Sequence, residues 1–363
     1  MPFLDDQPAS LSQVGRRPVV LTVDTEPDNA WSDHLCTSVS NVHALRRLDK
    51  LLCRYGARVT LLVTYRVVQD AECLGILRDL ATESGAEIGA HLHPWETPPF
   101  MPSGIDVHYP TFPHELPLAV FAEKLARLTE AITARLSAPT SYRAGRWGLA
   151  PEHLRVLENL GYEVDTSVMP LVDWRGTPGI PWREGGRGGV DYRFAPQEPY
   201  RPAYTDVSRR GMSRIVELPV AVGFTRRTPA AVQRLYASLP ELAQRVLRKS
   251  EILRPVWATP AWETRTHLER MTCTLVRERP ALVNIAYHSS ELTPSRLPQC
   301  SVPEQVDEVF RRTEMMLEIL AAQEEFEFMT LTAAGRQWLA SRAGTARRDE
   351  RREVQAVPVR SAP

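Results

Sequence analysis

The sequence predicts an α/β fold built on a parallel sheet or barrel. Two observations predict it. Short β-branched runs alternate about seven times with longer segments of helical period, and residues capable of chemistry stand at the last positions of those runs. With 363 residues, 43% of them hydrophobic, the chain can bury a substantial core as one large domain or two smaller ones.

Taken in order, the candidate strands are VVLTVD (19–24), VTLLVTY (59–65), EIGAHLH (87–93), SYRAG (141–145), EVDTSV (163–168), RIVELPV (214–220), LVNIAYH (282–288) and FEFMTL (326–331). Between them, VHALRRLDKLLCRYG reads as a helix stopped by Gly56, and PEQVDEVFRRTEMMLEILAAQ as a helix capped by Ser301. Its methionines recur with helical period, which places them in the core. Residues 1–17 and 341–363 are polar and poor in aromatics, and are predicted to be disordered, leaving 18–340 as the folded region. From 170 to 213 a Pro-, Gly- and Arg-rich insertion has neither period. It reads either as a mobile surface loop or, given Trp174, Trp182, Tyr192, Tyr200 and Tyr204, as a wall of a substrate groove.

Composition removes several classes of function. Basic and acidic residues balance at 44 each, which gives no reason to expect nucleic acid as a partner. Cys36, Cys53, Cys73, Cys273 and Cys300 are scattered without C-x-x-C spacing, against a disulfide framework or a zinc ribbon. GGRGG (185–189) lacks the following Lys and the preceding strand of a phosphate loop. The N-terminus has acids where a signal peptide needs a basic start, and no apolar run reaches the length of a transmembrane helix, so a soluble, cytoplasmic protein is expected.

Asp24, His91, Arg143, Asp165 and His288 each fall in the last part of a candidate strand. In parallel α/β folds the carboxyl ends of the strands gather at one face, where catalytic groups collect, so these five are expected to meet. In an extended chain His91 and His93 share a face with Cα atoms about 6.6 to 7 Å apart, and Asp24 and Glu26 have the same spacing. Two histidines, a carboxylate and an open position form a set that holds catalytic Zn²⁺ or Fe²⁺. Asp24 is then the candidate base, Glu26 a ligand and His288 the acid, with the two carboxylates able to exchange roles. Arg143 is expected to pair with Asp24 and keep its pKa low. Asp165 either holds Arg143 or caps a local turn. His34, His43, His108, His114, His153 and His267 are read as structural or solvated, His108 and His114 being placed to line a groove.

In this order the motifs resemble those of the NodB-type polysaccharide deacetylases, the family-4 carbohydrate esterases. LTVDTEPD is similar to the family's first motif, which carries base and ligand acids, and EIGAHLHPW to the second, with two histidine ligands. YRAGRWG resembles the third, with Arg143 as its arginine and backbone near Arg146 and Trp147 at the oxyanion site. GYEVDTSV resembles the fourth, which places Asp165 beside that arginine, and IAYHSSEL the fifth, with His288 as catalytic acid. The resemblance implies a distorted (β/α) barrel of about seven parallel strands, and removal of an N-acetyl group from an amino sugar with a divalent metal, commonly Zn²⁺, with Fe, Co or Ni as other occupants. Most of the family has adjacent acids and histidines four apart. The D-x-E, H-x-H and ELPV pattern here is similar to the WalW-like branch, associated with surface polysaccharide synthesis, and Trp95 stands where the usual second histidine falls. Two other readings remain at this level: a metal-independent hydrolase of another amide or ureide, and a non-catalytic glycan-binding protein on the same fold.

Overall fold

The computed structural model describes residues 15–30 and 32–342. Eight strands form one sheet: β1 (Arg17–Thr25), β2 (Val59–Val63), β3 (Glu87–Leu92), β4 (Ser141–Ala144), β5 (Val164–Asp165), β6 (Val216–Glu217), β7 (Val283–His288) and β8 (Phe326–Phe328). Their order is β7-β1-β2-β3-β4-β5-β6, with β8 pairing the start of β1, and every pairing is parallel. All eight predicted strands are present. β1 begins one residue earlier than the expected start of the folded region, while the disorder expected for 1–14 and 343–363 lies outside the described residues.

The sheet curls into a distorted barrel. Between β6 and β7 the ladder gives way to single bonds: the Ala221 amide donates to the Asn284 carbonyl (2.9 Å), and Asn284 Nδ2 to the Leu218 carbonyl (3.0 Å). Every residue of β2 is buried, as expected where helices cover a parallel sheet on its outer face and side chains fill its interior. The helices include α1 (Leu45–Cys53), α2 (Ala71–Glu83), α3 (Leu118–Thr133), α4 (His153–Asn159), α5 (Ala230–Ser238), α6 (Glu241–Lys249), α7 (Arg265–Glu278) and α8 (Pro303–Ala321). Gly56 ends α1 as expected, at φ +64°, with the Ala57 amide returning to the Leu52 carbonyl. Ser301 does not cap α8. Val302 occupies that position, and the Ser301 amide and hydroxyl instead donate to Gln305 Oε1 (2.8 and 3.0 Å). Pro303 starts the helix without needing a cap for the amide it lacks.

The 170–213 segment is not a bare loop. It contains an antiparallel pair, Pro202–Ala203 with Asp206–Arg210, and single bridges at Asp173–Asp191 and Tyr200–Glu217. Tyr192 and Tyr200 are fully buried, their hydroxyls donating to the Trp147 and Val207 carbonyls (both 2.6 Å). The aromatic residues that suggested a groove are thus partly spent on anchoring the segment to the barrel.

One buried ion pair fixes the chain that leaves β3. Lys124 of α3 donates to Asp106 Oδ2 (2.8 Å) and to the carbonyls of Pro94 (2.9 Å) and Thr97 (2.6 Å). Removing one member of such a pair strands the other charge. Lys124→Met is expected to lower stability by about 3–5 kcal/mol in denaturant unfolding; an unchanged midpoint would mean that the loop holds itself.

Candidate active site

Asp24, His91, Arg143 and His288 meet where the carboxyl ends of β1, β3, β4 and β7 converge, and Glu26 and His93 lie one residue beyond their strands. Period two operates as expected: His91 Nε2 and His93 Nε2 are 2.9 Å apart, and His93 Nε2 is 2.9 Å from Glu26 Oε2. These three side chains are buried, and one donor atom from each lies within 4.8 Å of the others.

The hydrogen bonds decide which nitrogen faces inward. His91 Nδ1 is 3.0 Å from the Arg143 carbonyl, which can only accept, so Nδ1 carries the proton and Nε2 presents a lone pair. Burial pushes His91 down to about 4 and His93 down to about 3, so both imidazoles are neutral at neutral pH. Burial also raises Glu26 to about 7. Among the described residues, Glu26 Oε1 and His93 Nδ1 are buried without a hydrogen-bond partner. Two imidazole nitrogens and a carboxylate converging in a dry place form a donor set that a divalent cation satisfies.

Asp24 is held differently. Arg143 Nη1 donates to its Oδ1 at 2.6 Å, while Oδ2 lies 3.5 Å from His288 Nε2 and 3.8 Å from His91 Nε2. Burial opposes ionisation of Asp24, yet Arg143, with the neighbouring histidines, holds its pKa below the ordinary value. Arg143 is itself buried and fixed by Thr22 Oγ1 (2.7 Å), the Thr166 carbonyl (3.0 Å) and Thr166 Oγ1 (3.3 Å). Asn284 completes this polar floor by donating to Thr166 Oγ1 (2.8 Å).

Asp165 does not grip Arg143 directly. It accepts from the Ser167 amide (2.9 Å) and hydroxyl (2.7 Å), and Ser167 Oγ in turn accepts from the Ala144 amide (2.8 Å). Its register partners are Tyr142 and Glu217, so it projects on the opposite face of the sheet from Arg143. Its influence reaches the arginine through the next peptide of β4. The local-turn reading of Asp165 is the one that this geometry matches.

His288 faces Asp24 from the neighbouring strand, where the two are register partners. Its Nδ1 lies 3.0 Å from Glu291 Oε1, and its amide donates to Glu291 Oε2 (3.2 Å). Burial favours the neutral ring, but Glu291, Glu26 and Asp24 together raise its pKa to about 9. Glu291 also accepts from Trp262 Nε1 (2.5 Å). Sequence reasoning gave Glu291 no role, although an acid three residues past a strand-end histidine can close back on it in a single turn of helix.

A cavity of about 100 Å³ opens onto these groups, bounded also by Trp95, Pro110, Arg146 and Trp147. Trp95 stands edge-on to His93, their ring centroids 4.2 Å apart, and so walls the site. Arg146 and Trp147 have φ of +54° and +62°, left-handed conformations that are costly for side chains other than glycine. They are held there by Arg146 donating to the Pro110 and Pro178 carbonyls and by Tyr192 on the Trp147 carbonyl. Gly145 makes the turn possible: a Cβ on it would fall 2.3 Å from the Leu92 carbonyl oxygen. His108 and His114 do not line this cavity; His114 Nε2 is instead 2.7 Å from the Gly188 carbonyl.

Comparison with known proteins rests on structure, since no family model and no curated protein sequence matches the chain. A Mycobacterium smegmatis protein described as a polysaccharide deacetylase superposes with a TM-score of 0.50 at 14% identity, over 90% of this chain and 92% of the other. A Parabacteroides distasonis protein described as a glycoside hydrolase/deacetylase superposes with a TM-score of 0.58 at 15% identity, over 90% and 72%. The chain has the NodB-type polysaccharide deacetylase fold. That deacetylase fold covers nearly all of the described residues, and the five strand-end motifs fall on its strands in the expected order.

Proposed function

We propose that the chain, with 18–340 as its catalytic domain, is a metal-dependent hydrolase. It removes an N-acetyl group from an amino sugar of a glycan or glycan precursor. The reading is carried by one juxtaposition: a buried Glu26–His91–His93 donor set beside an arginine-paired Asp24, with His288 opposite. Glu26, His91 and His93 are the proposed ligands, and Zn²⁺ the expected ion, with Fe, Co or Ni able to use the same donors. A divalent cation held there supplies Lewis acidity, making a water molecule acidic enough to lose its proton near neutral pH.

The chain's own residues do the rest. Asp24, kept ionised by Arg143, accepts a proton from the attacking water; this assignment is supported by its Oδ1 being committed to Arg143 while Glu26 Oε2 faces the two imidazoles. Backbone at Arg146 and Trp147 borders the position where the carbonyl oxygen gains charge. His288, protonated through Glu291, gives a proton to the leaving amine. Asp165 positions β4 through Ser167. The D-x-E and H-x-H spacing, similar to the WalW-like pattern, supports a surface-polysaccharide precursor as the substrate.

The test is acetate release from a panel of N-acetylated amino sugars, before and after chelation and with metal restored. Asp24→Asn is expected to keep its metal and lose about 10²- to 10⁴-fold in rate. Full activity after chelation would move the assignment to a metal-independent hydrolase of another amide or ureide. Sugar binding that survives Asp24→Asn, with no acetate released by the wild type, would make it a glycan-binding protein.

A further inference from the structure

The chain between β6 and α7 makes an excursion that the active site does not use. Residues 226–254 carry seven Arg and Lys against two Glu, in a protein whose charges balance overall. Within it, α5 and α6 turn large aliphatic side chains outward, Leu235 being 61% exposed, Leu242 73% and Val246 59%, and Ile252, just past α6, is 68% exposed. Leu242 and Val246 are one turn apart on α6, and Arg245 and Lys249, also exposed, run beside them with the same spacing.

The outward face is fixed by what lies beneath it. Tyr236 and Ala237 of α5 are buried, with Tyr236 edge-on to Phe224. Arg248 donates to the Tyr236 hydroxyl (3.1 Å), and Gln244, buried, donates to the Leu239 carbonyl (3.0 Å). Each helix makes a polar contact on its inner side while Leu235 of α5 and Leu242 and Val246 of α6 face outward. Alongside, a hollow of about 480 Å³ is lined by four arginines, Arg226, Arg227, Arg270 and Arg277, against one acid, Glu269. An adjoining one shares Arg227 and Arg277, includes Glu278, and reaches Gln233 of α5.

We propose that this surface, formed by α5, α6 and the arginines beside them, docks the protein on an anionic lipid bilayer. Aliphatic side chains flanked by cations match the boundary between acyl chains and negatively charged headgroups. A second copy of this chain is disfavoured as the occupant because two such surfaces would bring like charges together. Nucleic acid would leave the leucines exposed. Each helix has nine residues, about 13.5 Å of length, far short of a bilayer's hydrocarbon core, and no helix among the described residues is long and apolar enough to cross a membrane. The helices therefore lie along the surface. This inference does not depend on the reaction catalysed.

The test is co-sedimentation of the full chain with vesicles of phosphatidylcholine alone or mixed with phosphatidylglycerol. Binding to the mixed vesicles is expected to exceed that to neutral ones by about tenfold or more and to weaken with added salt. The variant Leu235→Ser/Leu242→Ser/Val246→Ser keeps every charge and changes only exposed positions; it is expected to bind the mixed vesicles about tenfold more weakly, with its unfolding midpoint unchanged or raised. Arg234→Gln/Arg245→Gln should lose the salt dependence in part. The proposal is overturned if the wild type stays in solution with mixed vesicles, or if the serine variant binds them as well as the wild type. It is also overturned if the wild type ignores vesicles and sediments as a dimer that the serine variant abolishes, since a second copy then covers the face.

Discussion

Replacing His91 and His93 together by alanine is expected to take the bound divalent metal from about one ion per chain to none, and to lower deacetylation by about 10³-fold or more. The reason lies in the donor count. Glu26, His91 and His93 offer three atoms within 4.8 Å, and the double variant leaves a lone carboxylate in a buried place, with Asp24 tied to Arg143. Elemental mass spectrometry on protein purified without a histidine tag gives the metal content directly. The single variant His93→Ala is the sharper probe, because His91 keeps the bond from its Nδ1 to the Arg143 carbonyl and remains correctly oriented. Full occupancy in His93→Ala would remove His93 from the ligand set. Metal absent from the wild type, even after Zn²⁺ is added, would leave the fold intact and shift the chemistry to a metal-independent route.

What sequence could reveal here follows from periodicity. The strands are read correctly because buried parallel strands are short β-branched runs, and the site because a strand-end histidine or acid after such a run has few other places to go. Asp24 and His288 were expected to face each other, and they are register partners. Of the two readings of Asp165, holding Arg143 or capping a local turn, the pleat favours the second: it turns Asp165 to the face opposite Arg143, where Ser167 carries its effect to β4. Thr22, two residues before Asp24 and on its face, could have been found by the same period that found His93. Thr166 and Asn284 could not, because their contact crosses the barrel between strands far apart in sequence. For the 170–213 insertion both readings stay open in the sequence, because composition does not tell whether an aromatic faces a ligand or a core.

His288→Ala is expected to lower kcat on an N-acetylated sugar by about 10²- to 10⁴-fold with KM little changed, and to cost far less on an activated acetate ester. An amine leaves only when it is protonated, whereas a nitrophenolate needs no acid, so the two substrates separate acid catalysis from a general disturbance of the site. Equal losses on both would mean that His288 supports the fold or the substrate rather than the leaving group. Glu291 provides the second half of the argument. Its carboxylate, 3.0 Å from His288 Nδ1, is the largest of the influences that raise His288 to about 9 against the opposing effect of burial. A required acid is present below its pKa and lost above it, so the wild-type rate should fall as pH rises through that region. Glu291→Gln removes the supporting charge, and the descending limb should move to lower pH while metal content stays at the wild-type level. A limb that does not move would free Glu291 from the acid and leave it the His288 amide and Trp262 contacts, on a strand-end turn that would then have no part in the proton transfer.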